Sequence, residues 1–333
     1  MYMELVCPAG NLPSLEAAVE HGADAVYIGF RDETNARHSA GLNFDAQTMA
    51  QGVELARSRG VQVYVALNTY PRPDGWTRWQ QAVDHAAELG VQALIVADLA
   101  VMDYAARHCP GVRLHLSVQA SSTNYESIRF YHEHFGIRRA VLPRILSLQQ
   151  VERIAAHSPV AVEVFGFGNL CVMVEGRCLL SSYATGRSPN TWGVCSPASA
   201  IEWHASAEGL ETRLGGLLID RYPPGRKASY PQMCKGRYEV QGQVYHALEE
   251  PVSLNTLDLL PELQEAGVAA VKIEGRQRSP TYVAQATRVW RAALDECERA
   301  PLSYRSRREW QSQLAKVAER YQTSLGAYGR PWQ

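Results

Sequence analysis

GADAVYIG at residues 22–29, GVQVYVALN at 60–68, GVQALIVAD at 90–98, GIRRAVLPR at 136–144 and GVAAVKIEG at 267–275 decide the fold. Each segment opens on a glycine that closes an amphipathic stretch and then runs straight into Val, Ile, Leu and Ala without polar alternation. Glycine takes the left-handed conformation past a helix end, and a strand without alternation is buried on both faces, as in a parallel sheet covered by helices. LVCPAG at 5–10, RLHLSVQ at 113–119 and AVEVFGFG at 161–168 bring the count to eight strands, centred near residues 6, 27, 65, 95, 116, 141, 164 and 272. Most lie about 20 to 37 residues apart, as βα units require, and right-handed crossovers close eight parallel strands into a (β/α)8 TIM-like barrel. A doubly wound open sheet uses the same local units; the count of eight favours the barrel. Helix starts agree with this reading. Asn11 with Pro13, Ser147 with Gln150, and Ser279 with Pro280 each carry capping chemistry ahead of an amphipathic run.

The seventh and eighth strands are too far apart for one βα unit, so the barrel carries a large cysteine-bearing insertion between them. The chain divides into residues 1–168, the first seven units; 169–250, the inserted segment; 251–300, the last unit with its helix; and 301–333, a terminal helix and tail. That last helix is expected from about Ser306 to Tyr321, followed by the aromatic pair Tyr328 and Trp332. Inside the insertion, RYEVQGQVYHA reads as a hairpin whose arms meet at Gln241 and Gly242.

The chain has 333 residues, 33 Lys plus Arg against 34 Asp plus Glu, and a net charge of -1. No global positive field draws it to nucleic acid or to an anionic membrane, so no nucleic-acid partner is expected. The opening MYMELVCPAG lacks the basic and apolar regions of a signal peptide, and no apolar run approaches the ~18 residues of a membrane span. A cytoplasmic location follows as the expectation. In a reducing compartment the seven cysteines should not pair, and clustering among them then signals a metal or redox chemistry.

Four of them, Cys171, Cys178, Cys195 and Cys234, fall in the insertion, which begins where the seventh strand ends. Barrel enzymes keep their active sites on that face. Spacings of six, sixteen and thirty-eight intervening residues match neither a zinc ribbon nor a ferredoxin run. Iron-sulfur, zinc and plain packing all remain open on spacing alone. Arg177, Lys235 and Arg237 flank the cysteines and could offset the negative charge of a four-thiolate cluster. Cys7, Cys109 and Cys297 sit where lone cysteines pack, and HEH at 132–134 reads as solvated surface. Arg144 and Arg276 follow strands six and eight, while Asn68, Asp98 and Gln119 end strands three, four and five. Polar residues at that level line a barrel site or cap the next helix. No G-x-S-x-G, HExxH or G-x-x-x-x-G-K-[ST] motif occurs.

EVFGFGNLCVMVEGRCLLS, Glu163 to Ser181, closely resembles the signature of the collagenase-like U-32 peptidase family. Its fixed elements are Glu163, Phe165, Gly168, Cys171, Gly176, Cys178 and Ser181; Asn169 departs from the usual Ser or Ala. MELVCPAGNLPSLEAAVEHGADAVYIG from Met3, SVQASSTN from Ser117 and VKIEGRQRSP from Val271 extend the resemblance over nearly the whole chain. DETNARH from Asp32 and MCKGRY from Met233 resemble one branch of the family, which serves oxygen-independent ubiquinone biosynthesis. The resemblance implies hydroxylation of the prenylated aromatic ring without molecular oxygen, and a [4Fe-4S] cluster on Cys171, Cys178, Cys195 and Cys234. It further implies a heterodimer with a UbiV-like paralogue, cooperation with a UbiT-like lipid carrier, and prephenate as oxygen donor. A dicarboxylate of that kind calls for arginine partners, for which Arg144 and Arg276 are placed. An RNA-modifying hydroxylase, as in other branches, is the alternative. Proteolysis is the weaker reading, because no recognisable nucleophile with its base accompanies the family name.

Overall fold

A computed structural model describes residues 2–38 and 41–330; Trp332 lies outside them. Strands β1 (Glu4–Pro8), β2 (Ala25–Ile28), β3 (Gln62–Leu67), β4 (Ala93–Val96), β5 (Arg113–Leu116), β6 (Arg139–Val141) and β7 (Ala161–Asn169) follow one another in parallel. Three strands of the insertion, β8 (Ile201–Ser206), β9 (Gly209–Leu214) and β10 (Leu217–Tyr222), form an antiparallel sheet, and β11 (Tyr238–Val240) pairs with β12 (Gln243–Tyr245). Then β13 (Ser253–Asn255) lies antiparallel on β7, β14 (Ala270–Ile273) returns to the barrel, and β15 (Thr323–Ser324) adds to β13. The barrel closes because β14 pairs in parallel with both neighbours, Glu4 opposite Ala270 on one side and Ala270 opposite Glu163 on the other.

Helices α1 (Leu12–Glu20), α2 (Ala46–Ser58), α3 (Trp76–Glu88), α4 (Leu99–His108), α5 (Tyr125–Phe135) and α6 (Leu148–His157) cover the barrel. Short helices α7 (Leu179–Thr185) and α8 (Pro189–Trp192) belong to the insertion, and α9 (Leu260–Glu265), α10 (Pro280–Arg299) and α11 (Arg308–Val317) complete the chain. The glycines that open the repeats do have positive φ: Gly22 93°, Gly60 71°, Gly90 71°, Gly136 69° and Gly267 81°. A side chain at these turns would clash with its own backbone, so the helix stops there and the strand begins. Asn11 accepts from Ser14 N, Ser147 and Gln150 form a reciprocal capping box, and Ser279 accepts from Tyr282 N.

Outward-facing strand residues such as Leu5, Val26 and Val63 pack with Leu15, Val53 and Trp290 of the helices. A second, smaller core of Val6, Ala25, Tyr27, Tyr64, Ala66, Ala93, Ile95 and Ala270 comes from the strands alone and faces the barrel axis. Its alanines leave room for long charged side chains inside the cylinder.

One expectation is revised. The terminal helix ends at Val317, not at Tyr321: a 3-10 turn follows in which Arg320 and Tyr321 adopt φ of 50° and 58°. Glu319 there pairs with Lys235, and Arg320 with Asp220 at 3.2 Å, so contacts to the insertion override the helical pattern. The β8–β10 sheet had no reading in the sequence. The hairpin turn sits at Gln241 and Gly242, both with positive φ, 53° and 77°.

Candidate functional site

The C-terminal ends of the strands open into a cleft with a cavity volume of about 60 Å³ that is open to solvent. Its walls come from the loops after β2 (Arg37), β3 (Asn68), β5 (Ser117 and Gln119), β6 (Arg144) and β14 (Glu274 and Arg276), with Glu175 from the inserted segment.

These side chains are in different electrostatic states. Arg144 is occupied: Glu175 receives its Nε at 3.0 Å and its Nη2 at 2.6 Å, Asn169 O receives Nη1, and Phe165 lies 4.2 Å beneath the guanidinium. It therefore ties the cysteine loop to β6. Arg276 is buried, and its Nη1 donates to Asn35 Oδ1 at 3.0 Å. Among the described residues, no carboxylate lies within 4.0 Å of Arg276 or of its neighbour Arg37. Burial, with the like charge of Arg37, brings the Arg276 guanidinium down to about 10. Burial opposes ionisation of Glu274, but Arg144, Arg37 and Arg278 outweigh it and hold that carboxyl below its usual range.

Asn68 cross-links two loops, accepting from Ala36 N at 3.1 Å and donating to Ser117 Oγ at 3.2 Å. Gln119 is buried with its Oε1 unpaired. Asp98 stands apart: it caps α4 through Ala100 N at 2.9 Å and Val101 N at 3.1 Å and is not among the residues lining the cleft.

Beneath the cleft the barrel holds a second charged layer. Lys272 Nζ meets Glu163 at 2.6 Å, Arg139 bridges Glu163 at 3.0 Å to Glu4 at 2.7 Å, and Tyr64 OH donates to Glu4 at 2.6 Å. Burial opposes ionisation of Glu163, yet Lys272 and Arg139 bring its carboxyl down to about 2. Burial and the nearby Arg139 bring His115 to about 3, keeping the imidazole neutral. Sequence reading passed over this layer, and over Arg37, Glu175 and Glu274. A charged residue inside an apolar strand, as in AVKI or AVEV, was the available signal.

The four cysteines of the insertion approach the same rim. Cys171 follows β7; Cys178 caps α7, its sulfur accepting from Ser181 N at 3.4 Å; Ser181 Oγ in turn donates to Cys195 O. Cys234 lies in the short turn Met233–Lys235. Burial pushes the Cys171 thiol up to about 12 and raises Cys178 and Cys234, and in all three a charge on Cys195 adds to the effect. Cys171 and Cys178 act likewise on Cys234. The thiols thus share one neighbourhood. Among the described residues, however, no three His, Cys, Asp or Glu side chains are grouped so as to hold a single ion. Zinc with Zn–S bonds near 2.3 Å would need sulfurs within roughly 4 Å of one another. The four half-buried thiols are nonetheless donors of the type that ligates iron-sulfur clusters.

Lys235 and Arg144 counter the charge of Cys234 and Cys171 respectively. Lys235 is also a tether, donating to Asn169 Oδ1, Glu319 and, at 3.4 Å, Val252 O. This accounts for Asn169, whose longer side chain reaches the ammonium. Arg177 lies 4.5 Å over the Tyr70 ring and Arg237 pairs with Asp220 at 3.3 Å. Neither donates to a cysteine sulfur among the described contacts. Leu179 and Tyr183, close to Cys178 in sequence, are 82% and 85% exposed.

A profile of peptidase family U32 matches residues 10–331. The tRNA hydroxylation protein P1 of Bacillus subtilis is 30% identical over 328 residues, covering 98% of this chain and 71% of that protein. The tRNA hydroxylation protein P of Escherichia coli is 32% identical over 313 residues, covering 88% and 68%. The solved structure of the U32 peptidase Mk0906 superposes with a TM-score of 0.51 at 15% identity, over 84% of this chain and 95% of that one. That likeness concerns the fold.

Proposed function

Because the chain belongs to peptidase family U32, we propose that it is an oxygen-independent hydroxylase of an aromatic or heteroaromatic ring held at the barrel mouth. The relatives named for tRNA hydroxylation make an RNA base the first substrate class. One observation carries the reading: a cleft lined by Arg276 and Arg37, neither within 4.0 Å of a carboxylate among the described residues, adjoins the inserted segment that carries four half-buried cysteines.

Cys171, Cys178, Cys195 and Cys234 would hold a [4Fe-4S] cluster, which supplies one-electron chemistry that side chains lack. Arg276 and Arg37 bind the carboxylates of an oxygen donor such as prephenate. Arg144, already taken by Glu175, positions the cysteine loop instead. Asn68 holds the loops after β2 and β5 together, and Lys272 forms part of the cleft floor. Proteolysis gains no support: among the described residues no histidine lines the cleft to serve Ser117 as an imidazole base.

A second reading is a UbiU-like (YhbU-like) role on the prenylated ring of ubiquinone precursors, with a UbiV-like partner and a UbiT-like carrier. What favours it is where the branch-like segments lie. DETNARH supplies Arg37 to the cleft and Asn35 to Arg276, and MCKGRY supplies Cys234 and Lys235. The exposed Leu179 and Tyr183 suit an apolar tail or a partner surface.

The test compares a deletion strain with its complemented parent under strict anoxia, analysing RNA nucleosides and quinone intermediates by mass spectrometry. Loss of a hydroxylated nucleoside supports the first reading, and a precursor lacking a ring hydroxyl supports the second. No change in either pool refutes the hydroxylase.

A further inference from the structure

We propose that Gln119 reads the ring substrate, accepting a hydrogen bond from an N–H or O–H group carried on that ring. The proposal rests on the hydroxylase reading and narrows its substrate class to rings that bear such a donor.

Gln119 lies in the turn Val118–Ala120 that follows β5. Its backbone is fixed at both ends. The carbonyl accepts from Tyr70 OH at 2.8 Å and from Arg177 Nη2 at 3.3 Å, and its N–H donates to Ser117 Oγ at 3.3 Å. The side chain faces the cleft and is 4% exposed, and Oε1 is buried without a hydrogen-bond partner. Other polar groups of the cleft are engaged: Asn68 at both ends of its amide, Arg144 by Glu175, and Lys272 by Glu163.

Retreat is blocked as well. A Cβ placed on Gly176 would stand 2.1 Å from Oε1, so the amide rests against the glycine that lies between Cys171 and Cys178. A bulkier residue at 176 would collide with it, and Gly176 also has φ of 71°. Buried native polar groups are almost always paired; the side chain lines the cleft while Oε1 itself packs on Gly176, so a turn of the terminal amide carries its acceptor to the cleft, where a ligand group can pair it. Exchanging the amide oxygen and nitrogen still leaves one acceptor and one donor there, and the positive side of the site is already supplied by Arg37 and Arg276. Beside the Glu274 carboxylate, which already accepts from Asn169 N at 3.2 Å, the Gln119 amide offers a neutral acceptor for a ring substituent. A site built to accept from such a group rejects rings without it, because its own polar atom is then left unpaired.

The test needs no turnover. Calorimetric titration of the purified protein uses 4-hydroxybenzyl alcohol and benzyl alcohol, which carry no carboxylate and leave Arg37 and Arg276 to the oxygen donor. The parent protein should bind the ring-hydroxylated probe about tenfold more tightly, as one net hydrogen bond implies. In Gln119→Leu the two probes should bind equally. If that variant fails to fold, Gln119→Met, flexible and similar in volume, serves in its place. A preference that survives in the variant, or a parent that binds both probes equally or neither, overturns the proposal. A preference present in the parent and lost in Gln119→Leu, combined with unchanged nucleoside and quinone pools in the deletion strain, would refute the hydroxylase reading alone.

Discussion

The lower interior of the barrel and its mouth contain the same kinds of side chain in opposite states. Below, Lys272, Glu163, Arg139 and Glu4 form a continuous chain of ion pairs between 2.6 and 3.0 Å. Above, Arg276 and Arg37 have no carboxylate within 4.0 Å among the described residues, and the Gln119 oxygen has no partner. Desolvating a charge costs several kcal/mol unless a partner offsets it. The lower layer offsets that cost internally and so belongs to the fold. In the upper layer Arg144 is offset by Glu175, while Arg276 and Arg37 have no such partner within 4.0 Å among the described residues, and the partners they lack are the groups a ligand would bring.

The comparison breaks first at Glu163. Glu163→Ala leaves Lys272 without its carboxylate and should cost about 3–5 kcal/mol in urea unfolding. An undiminished midpoint would mean that the layer is not a structural unit. The same carboxyl gives a pH signature. Its pKa is lowered from the ordinary 4.5 to about 2, so the stability it contributes is present above pH 4.5 and is lost as pH falls toward 2. That amounts to roughly 3 kcal/mol at about 1.4 kcal/mol per pH unit. Glu163→Gln should abolish this part of the acid transition.

Arg276→Ala probes the upper layer and should behave oppositely. Hydroxylated product should disappear from the anoxic strain, while the melting temperature should hold or rise, since a depressed guanidinium is a liability to the empty fold. A large loss of stability would move Arg276 into the structural class. The smallest effect is expected at Asp98, outside the cleft. Asp98→Ala removes the cap of α4, costs about 1 kcal/mol and should leave product formation intact.

What the sequence disclosed follows from the range of the interactions involved. Strands, helix caps and the turn glycines depend on neighbours a few residues away, so GADAVYIG and its kin announced the barrel directly. The position of the cysteine-bearing insertion at the barrel mouth was legible through one topological rule, that the segments after barrel strands share a face. Charge pairing was not. Arg144 had the right position, but Glu175, thirty-one residues on, decides that it is a tether. Lys235 was placed as a neighbour of Cys234, yet its hydrogen bonds go to Asn169 and Glu319, the latter eighty-four residues away. Arg37 comes from a loop with no strand-end signal of its own. The β8–β10 sheet escaped because its β8 strand is mostly exposed and carries no clean alternation.

In the proposed hydroxylase, Cys171, Cys178, Cys195 and Cys234 would jointly hold iron and sulfide beside this cleft. Anoxic purification followed by metal and acid-labile sulfide analysis tests it most directly, with Cys195→Ala as the control. The account predicts about four iron and four sulfide per chain in the parent and loss of the cluster's absorption in the variant. One zinc per chain, no metal, or an iron content untouched by Cys195→Ala would contradict it.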